Sequence, residues 1–279
     1  MTPLDREILL SYTLKKPREY LFTYPEYKPT KSQIARYRLY VIRRLHGEPI
    51  AYITGKKEFF GLDFFVNKKV LIPRPETELL VELVLKKILI SQFSTLNSHI
   101  IDVGTGSGNI IISIAKNTPE KIRRKINFYA LDISKKALSI AKKNAKKHKI
   151  AKNIKFIQSD LLKYFLEKKI KFENMLIVAN LPYVPQKLYQ KNSKNLKYEP
   201  KIALISKKNG LDYYLKLLSQ IKQLWNRYYA SHVTCYFEIS PEQKKALIKA
   251  VKKELPSAKI KFFKDLAGKT RSVKITIEN

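Results

Sequence analysis

Two short stretches hold residues whose types and spacing suit chemistry. The first is Asp102-Val103-Gly104-Thr105-Gly106-Ser107-Gly108, which follows an apolar run and leads into a second one. Glycines permit a tight turn and close approach of backbone to a ligand, and a helix N-terminus behind them offers oriented N–H groups. Two phosphate-binding patterns fail here. A dinucleotide fingerprint needs G-x-G-x-x-G, and Asn109 stands where the third glycine belongs. A P-loop needs Gly-Lys-Ser/Thr after the turn, and none follows. The second stretch, Asn180-Leu181-Pro182-Tyr183, ends an apolar run. Its plain reading is a strand-terminating turn, but a polar residue and a proline opposite a glycine turn invite a chemical one.

What remains of the first stretch, acidic-x-G-x-G-x-G, resembles the first motif of Rossmann-like methyltransferases. That resemblance implies S-adenosylmethionine as cofactor, a ligand without phosphate. Asp132 closes the next apolar run and is placed to accept both ribose hydroxyls. Its alternative is a helix N-cap, a role Ser134 also suits. Asp160, followed by Leu161, closes the run after that. By resemblance this corner touches the adenine, although an ordinary strand end explains Asp160 equally well. The expected cofactor contacts are Gly104, Thr105, Gly106, Ser107, Gly108, Asp132, Asp160, Leu161 and Asn180.

The second stretch suits methylation of a planar nitrogen. An amide nitrogen is a poor nucleophile, because its lone pair is delocalised into the carbonyl. A site that methylates it must hold both N–H protons on acceptors and aim the nitrogen at the methyl group. The Asn180 side-chain oxygen and the Leu181 carbonyl are two such acceptors. Pro182 fixes the backbone and removes a donor. Tyr183 offers a flat wall. Positioning and electrostatics would carry the rate, with no strong general base required. The tetrapeptide alone leaves adenine, cytosine and glutamine amide open as targets.

The elements that must position these residues can be read from periodicity. Residues 1–57 show helical spacing through Leu4, Ile8, Leu9 and Tyr12, and again from Ile34 to Leu45, with Thr30 as a cap. Residues 58–75 read as a β-hairpin linker in three short apolar runs (58–60, 64–66 and 70–72). Glu76 opens a helix to about Leu89. From Ser98 strands and helices alternate: strands at Ile100–Val103, Phe128–Asp132, Lys155–Gln158, Leu176–Ala179 and Val233–Ile239, with helices near 109–117, 134–148, 210–230 and 241–254. That alternation predicts an α/β, Rossmann-like, mostly parallel seven-stranded sheet over 76–279. Lys259–Phe263 and Ser272–Ile277, with Gly268 between them, predict an antiparallel C-terminal hairpin. The lysine-rich stretch 186–197 reads as a mobile loop.

Composition narrows the class. The chain has 279 residues, 44% of them hydrophobic, which suffices for one large domain and a small one. Cys235 is the only cysteine and the four histidines are scattered, so no disulfide and no metal site are expected. Charged residues interrupt the first ten positions, and no apolar run approaches the roughly 20 residues of a membrane span. A cytoplasmic protein without membrane contact is expected, with a monomer favoured. The formal charge of +33 has two readings: attraction to nucleic acid or an acidic protein, or a general lysine bias. The lysines lie on nearly every predicted helix face, which favours the bias.

Segments outside these two stretches carry a closer resemblance. Arg43-Arg44-Leu-His-Gly47-Glu48-Pro49, Leu71-Ile72-Pro73-Arg74-Pro75-Glu76-Thr77-Glu78, Tyr198-Glu199-Pro200, Gly210-Leu211-Asp212-Tyr213-Tyr214, Glu238-Ile239 with Gln243, and Asp265-Leu-Ala-Gly268 with Arg271 resemble the release-factor glutamine methyltransferases of the HemK/PrmC type. The likeness covers nearly the whole chain, and Pro-Arg-Pro-Glu-Thr-Glu is its most specific part. It implies a helical N-terminal domain that grips a peptide chain release factor, and a catalytic domain that methylates the glutamine of that factor's Gly-Gly-Gln loop. It places Asn180, Leu181, Pro182 and Tyr183 on the glutamine, and Arg74, Glu76 and Glu78 near the cofactor entrance. For Arg74 a surface salt bridge is the competing role. Leu181 stands where the family usually has proline, which predicts a less rigid loop. The same Asn-Leu-Pro-Tyr string resembles ribosomal RNA adenine dimethyltransferases, so a nucleic-acid adenine N6-methyltransferase is the alternative.

Overall fold

The computed structural model describes residues 1–90, 98–168, 170, 172–191, 196–228 and 232–278. Four helices come first: α1 (Pro3–Leu14), α2 (Arg18–Thr23), α3 (Lys31–Leu45) and α4 (Ile50–Thr54). The two longer ones start at reciprocal caps. Thr2 and Thr30 each accept the N–H of the residue three places on, while Asp5 and Gln33 reach back to the cap's own N–H. Arg44 joins α3 to α1 through Asp5 at 3.0 Å. Few side chains are buried here, with Leu9 and Leu14 the apolar ones from α1.

Strands β1 (Lys56–Phe59) and β2 (Leu62–Phe65) form the linker hairpin. Phe60 and Gly61 both take positive φ in its two-residue turn. The third apolar run, 70–72, is not a strand. Val70 and Ile72 instead sink into a small cluster with Tyr52, whose hydroxyl donates to the Val70 carbonyl at 2.6 Å. A 3-10 turn at Pro75–Thr77 then precedes α5 (Glu78–Ile90).

The larger part is a seven-stranded sheet. In chain order it runs β3 (Ser98–Val103), α6 (Asn109–Asn117), α7 (Glu120–Arg123), β4 (Ile126–Asp132), α8 (Lys135–Lys147), β5 (Ile154–Gln158), α9 (Lys163–Lys168) and β6 (Asn174–Ala179). There follow β7 (Val184–Pro185), α10 (Gln186–Lys191), β8 (Ile205–Ser206), α11 (Asp212–Tyr228), β9 (His232–Glu238), α12 (Lys244–Glu254), β10 (Lys259–Lys264) and β11 (Thr270–Glu278). The order across the sheet is β10-β11-β9-β6-β3-β4-β5. Only the pairs β10–β11 and β11–β9 are antiparallel, so the predicted closing hairpin is present. Successive residues of a strand face opposite layers. Ile101, Val103 and Ile177 accordingly pack with α11 and α12, and Ile100, Leu176 and Val178 with α5 and α6.

Sequence reading erred in further places. Residues 186–191 are helix α10 rather than loop, and the rest of the expected loop at 192–195 lies outside the described residues. The helices α7 and α9 were not anticipated, being too short to show a period. The helical region ends at Thr54 and the hairpin starts at Lys56, slightly before the expected boundary.

Candidate active site

The parallel strands end in step. Val103 pairs with Leu131 on one side and Ala179 on the other, and Ala179 pairs with Phe237. Their C-terminal tips, carrying Gly104, Asp132, Asn180 and Glu238, therefore emerge along one edge of the sheet. A cleft of about 1020 Å³, its open mouth included, lies over that edge. This is where ligands bind in open α/β sheets.

The glycine turn is shaped by short-range contacts. The N–H groups of Gly104 and Thr105 both reach the Leu131 carbonyl, at 2.9 and 2.8 Å. Gly108 takes φ +81°, and a Cβ there would stand 2.8 Å from Ile112 Cδ1 and 3.1 Å from Ala141 Cβ, so only glycine lets α6 and α8 close this tightly. Buried Asn144 on α8 donates to the Ser107 carbonyl at 2.8 Å and to the Phe65 carbonyl at 3.1 Å, while its oxygen accepts the Phe65 N–H. One side chain thus ties the hairpin to the turn. Asp102 lies fully buried beneath. The Thr105 hydroxyl donates to one of its oxygens at 2.7 Å, and the other oxygen has no partner. Burial raises its carboxyl to about 7, against the pull of the Thr105 hydrogen bond.

Asp132 accepts the Gly106 N–H at 2.9 Å on one oxygen and the Ser134 N–H at 2.8 Å on the other. Ser134, not Asp132, caps α8, accepting from Ala137. Burial lifts the Asp132 carboxyl, and the three backbone N–H bonds it accepts oppose that rise. Asp132 lines the cleft, and each of its oxygens can accept a further hydrogen bond. At the next corner Leu161 lines the cleft with φ +55°, a conformation non-glycine residues seldom adopt. Gln220 holds it there, accepting the Leu162 N–H at 2.8 Å. Asp160 also lines the cleft, but its carboxylate is paired with Lys216.

The Asn180–Tyr183 loop is held from farther away. The Asn180 amide nitrogen donates to the Thr77 hydroxyl at 3.1 Å, across 103 positions. Leu181 is buried, and its N–H donates to the Tyr214 hydroxyl at 3.3 Å. Tyr214 in turn donates to the Glu238 carbonyl. A proline at position 181 could not make that bond, so the expected loosening of the loop meets a compensating anchor. Leu181 also reaches the cofactor turn, since a Cβ on Gly104 would stand 3.0 Å from its Cδ2. Gly210, at φ +89°, lies so close that a Cβ would meet the Tyr183 carbonyl at 2.3 Å. Gln243 fixes it by donating to the Gly210 carbonyl at 2.7 Å.

Two expected site residues sit elsewhere. Tyr183 does not line the cleft. Its hydroxyl donates to the Glu238 carboxylate at 3.2 Å behind the loop, so it braces the loop rather than forming a wall. Desolvation, the Glu238 charge and that hydrogen bond all raise its phenol. Glu76 is likewise absent from the cleft wall, and its neighbour Thr77 takes that place, because the 3-10 turn points them differently. Glu78 is engaged with the hairpin, accepting the Phe60 N–H at 3.0 Å. Arg74 lines the cleft and is also ion-paired with buried Glu199, which accepts the Ile72 N–H at 3.1 Å. Thr77, Val70, Leu71 and Tyr213 also line the cleft and were not expected from sequence as site residues. Leu71, Thr77 and Tyr213 did lie inside quoted motifs, which was the available signal.

Comparison with known proteins gives a consistent result. A family described as methyltransferase domain matches residues 94–258, and one described as PrmC N-terminal domain matches residues 2–55. A release factor glutamine methyltransferase of Dictyoglomus turgidum is 33% identical over 272 residues, 98% of this chain and 90% of that protein. The protein of the same name from Clostridium acetobutylicum is 39% identical, covering 79% of this chain and 74% of its own length. The one from Koribacter versatilis is 42% identical, with 78% and 73% covered. Among solved structures, the human METTL16 N-terminal domain in complex with SAH shares the fold at a TM-score of 0.53 and 18% identity, over 78% of this chain and 76% of that one. Among the described residues no helix is long and apolar enough to cross a membrane, and no group of three or more His, Cys, Asp or Glu could hold a metal. On its fold, its cleft and this likeness over nearly its full length, the chain belongs to the release factor glutamine methyltransferase family.

Proposed function

We propose that this protein transfers a methyl group from S-adenosylmethionine to the side-chain amide nitrogen of the glutamine in the Gly-Gly-Gln loop of peptide chain release factors. The observation that carries the reading is the pairing of β3 with β6, which sets the glycine turn and Asn180 side by side over one cleft.

The cleft fits the cofactor. No lysine or arginine stands in the glycine turn, which suits a nucleoside without phosphate. Asp132 retains acceptor capacity for ribose hydroxyls, and Leu161 with Ile133 gives apolar surface for a base. Gly106 presents only backbone, since a Cβ there would meet nothing nearer than the Gly104 carbonyl at 4.0 Å. The residues holding the cofactor are Gly104 to Gly108, Asp132 and Leu161, with Asp160 at the rim. When bound, S-adenosylmethionine supplies an electrophilic methyl on a positively charged sulfur.

The chain's own part is positioning. With its nitrogen committed to Thr77, Asn180 has its carbonyl oxygen left for a substrate N–H. The Leu181 carbonyl takes the second N–H, and Pro182 offers no competing donor. Held on two acceptors, the amide nitrogen faces the methyl, and the positive charge growing on nitrogen is met by two carbonyl dipoles. Arg74 and Thr77 line the approach from the cleft side. The helices up to Thr54 act as the unit that grips the release factor, the hairpin from Lys56 as the linker, and the seven-stranded sheet with its helices as the catalytic domain. A release factor as partner supports a cytoplasmic site of action, and a monomer is the state expected.

The test is incubation of the protein with labelled cofactor, release factor and ribosomal RNA, followed by mass spectrometry of the release-factor peptides. One methyl on the glutamine of the Gly-Gly-Gln peptide is expected. Label found only in RNA would overturn the reading in favour of adenine methylation.

A further inference from the structure

Asn144, on α8, is fully buried and takes no part in the chemistry proposed above. Three of its four hydrogen-bonding positions are in use. Its amide oxygen accepts the Phe65 N–H at 2.7 Å, and its two amide protons go to the Phe65 carbonyl at 3.1 Å and the Ser107 carbonyl at 2.8 Å. Ser107 lines the cofactor cleft, and Phe65 ends the linker hairpin. We propose that Asn144 is a positioning residue that couples the two: cofactor held in the glycine turn stiffens the hairpin, and through it sets the helical unit for its protein partner. The identity of that partner rests on the function proposed above, whereas the coupling needs only the cofactor site.

The three bonds admit one amide orientation. Exchanging oxygen and nitrogen would set NH2 against the Phe65 N–H and oxygen against the Ser107 carbonyl. An ionised aspartate would bring no donor, and the extra methylene of glutamine would overpack a fully buried position. Water does not reach the amide, so letting go of either partner strands a buried polar group. The hairpin is fastened to the same helix at further points. Lys147 Nζ donates to the Asp63 carbonyl at 2.7 Å, and the ammonium groups of Lys143 and Lys147 stand 4.1 and 5.0 Å from the centre of the Phe65 ring. The cofactor turn is pressed on that helix too, since a Cβ on Gly108 would stand 3.1 Å from Ala141 Cβ. On its other side the hairpin leads to the N-terminal helices. Val66, the residue after Phe65, donates its N–H at 3.1 Å to the carbonyl of Gly55, which caps α4. From Ser107 to α4 the path therefore runs through Asn144, Phe65, Val66 and Gly55, each hydrogen-bonded or covalently joined to the next. A ligand that fixes the turn removes freedom the hairpin would otherwise keep. By linkage, whatever affinity the protein partner gains from bound cofactor, the cofactor gains from the bound partner.

The test uses the full chain, as wild type and as Asn144→Leu, which keeps the number of side-chain heavy atoms and removes all three bonds. Amide hydrogen exchange with and without saturating S-adenosylhomocysteine comes first, because it needs no protein substrate. In the wild type the amides of residues 56–66 should slow about fivefold or more when the ligand binds, while those of the β10–β11 hairpin at the far edge of the sheet change less than about twofold. In Asn144→Leu the slowing at 56–66 should shrink to the level of the far hairpin. Calorimetry then compares S-adenosylhomocysteine affinity with and without release factor. The factor should tighten it about 5- to 10-fold in the wild type and less than about twofold in the variant. Absence of selective slowing at 56–66 in the wild type would overturn the proposal, whether or not the variant folds. So would an Asn144→Leu protein that binds ligand more weakly yet keeps both the selective slowing and the ratio of affinities, since Asn144 would then serve packing alone. Failure of the wild type to bind release factor would sink the function instead, and exchange at 56–66 would still decide the coupling.

Discussion

The two walls of the cleft are built on opposite plans. The glycine turn is closed by partners near it in the chain or on the adjoining strand: Thr105 on Asp102, Gly104 and Thr105 on Leu131, Gly106 on Asp132. The catalytic loop is closed by residues scattered along the chain: Thr77, Gly210, Tyr214 and Glu238. The first is a mostly local device in which glycines make the turn and the side chains of Asp102, Asp132 and Asn144 brace it. The second is a buried polar network whose members must all arrive together. Local devices tolerate change nearby, whereas such networks fail when any one member is removed.

The sharpest way to break this contrast is Asn180→Ala. Turnover should drop about 100- to 1,000-fold while cofactor affinity stays within about threefold. Calorimetry beside a methyl-transfer assay checks it, and a comparable loss of cofactor binding would erase the division between the walls.

Asp102→Asn probes the other wall. A carboxyl raised to about 7 in the fold favours folding when protonated, and that stability is lost as pH rises toward 7. The variant should therefore gain on the wild type by about 3 kcal/mol between pH 4.5 and pH 7.5. Urea unfolding at both pH values measures it, and a pH-independent difference would mean that Asp102 has a stronger partner than Thr105.

The smallest effect expected is that of Tyr214→Phe. It strands the Leu181 N–H and the Glu238 carbonyl, at a cost of about 2 kcal/mol in stability. Turnover should fall and cofactor binding hold. Unchanged turnover would show that the leucine needs no anchor.

The same contrast explains what could be read from residues alone. The sheet, its closing hairpin and the cofactor wall were legible, because alternation and the glycine turn are local signals. Asn180, Leu181 and Pro182 were legible by their position at a strand end. Tyr183 was placed in the wrong wall, since its ring follows Glu238, 55 residues away, rather than the turn chemistry around it. Thr77 was overlooked because nothing in Pro-Arg-Pro-Glu-Thr-Glu marks the threonine as the inward member. Helix α10 was lost to its lysines, which suggested a solvated loop although Tyr189 anchors the helix inward. The low burial of α1 to α3 was hidden too, because helical spacing looks alike whether a face is covered or open.

The in-step pairing of β3 with β6 has a mechanical meaning. Neighbouring strands stand about 4.8 Å apart, fixed by their hydrogen-bond ladder. On the function proposed above, that ladder gauges the distance between the two strand tips, and the partners of the Asn180–Tyr183 loop set its final pose. An extra residue slipped into either strand would shift one tip by about 3.3 Å, more than the length of a carbon–nitrogen bond, and separate two intact half-sites.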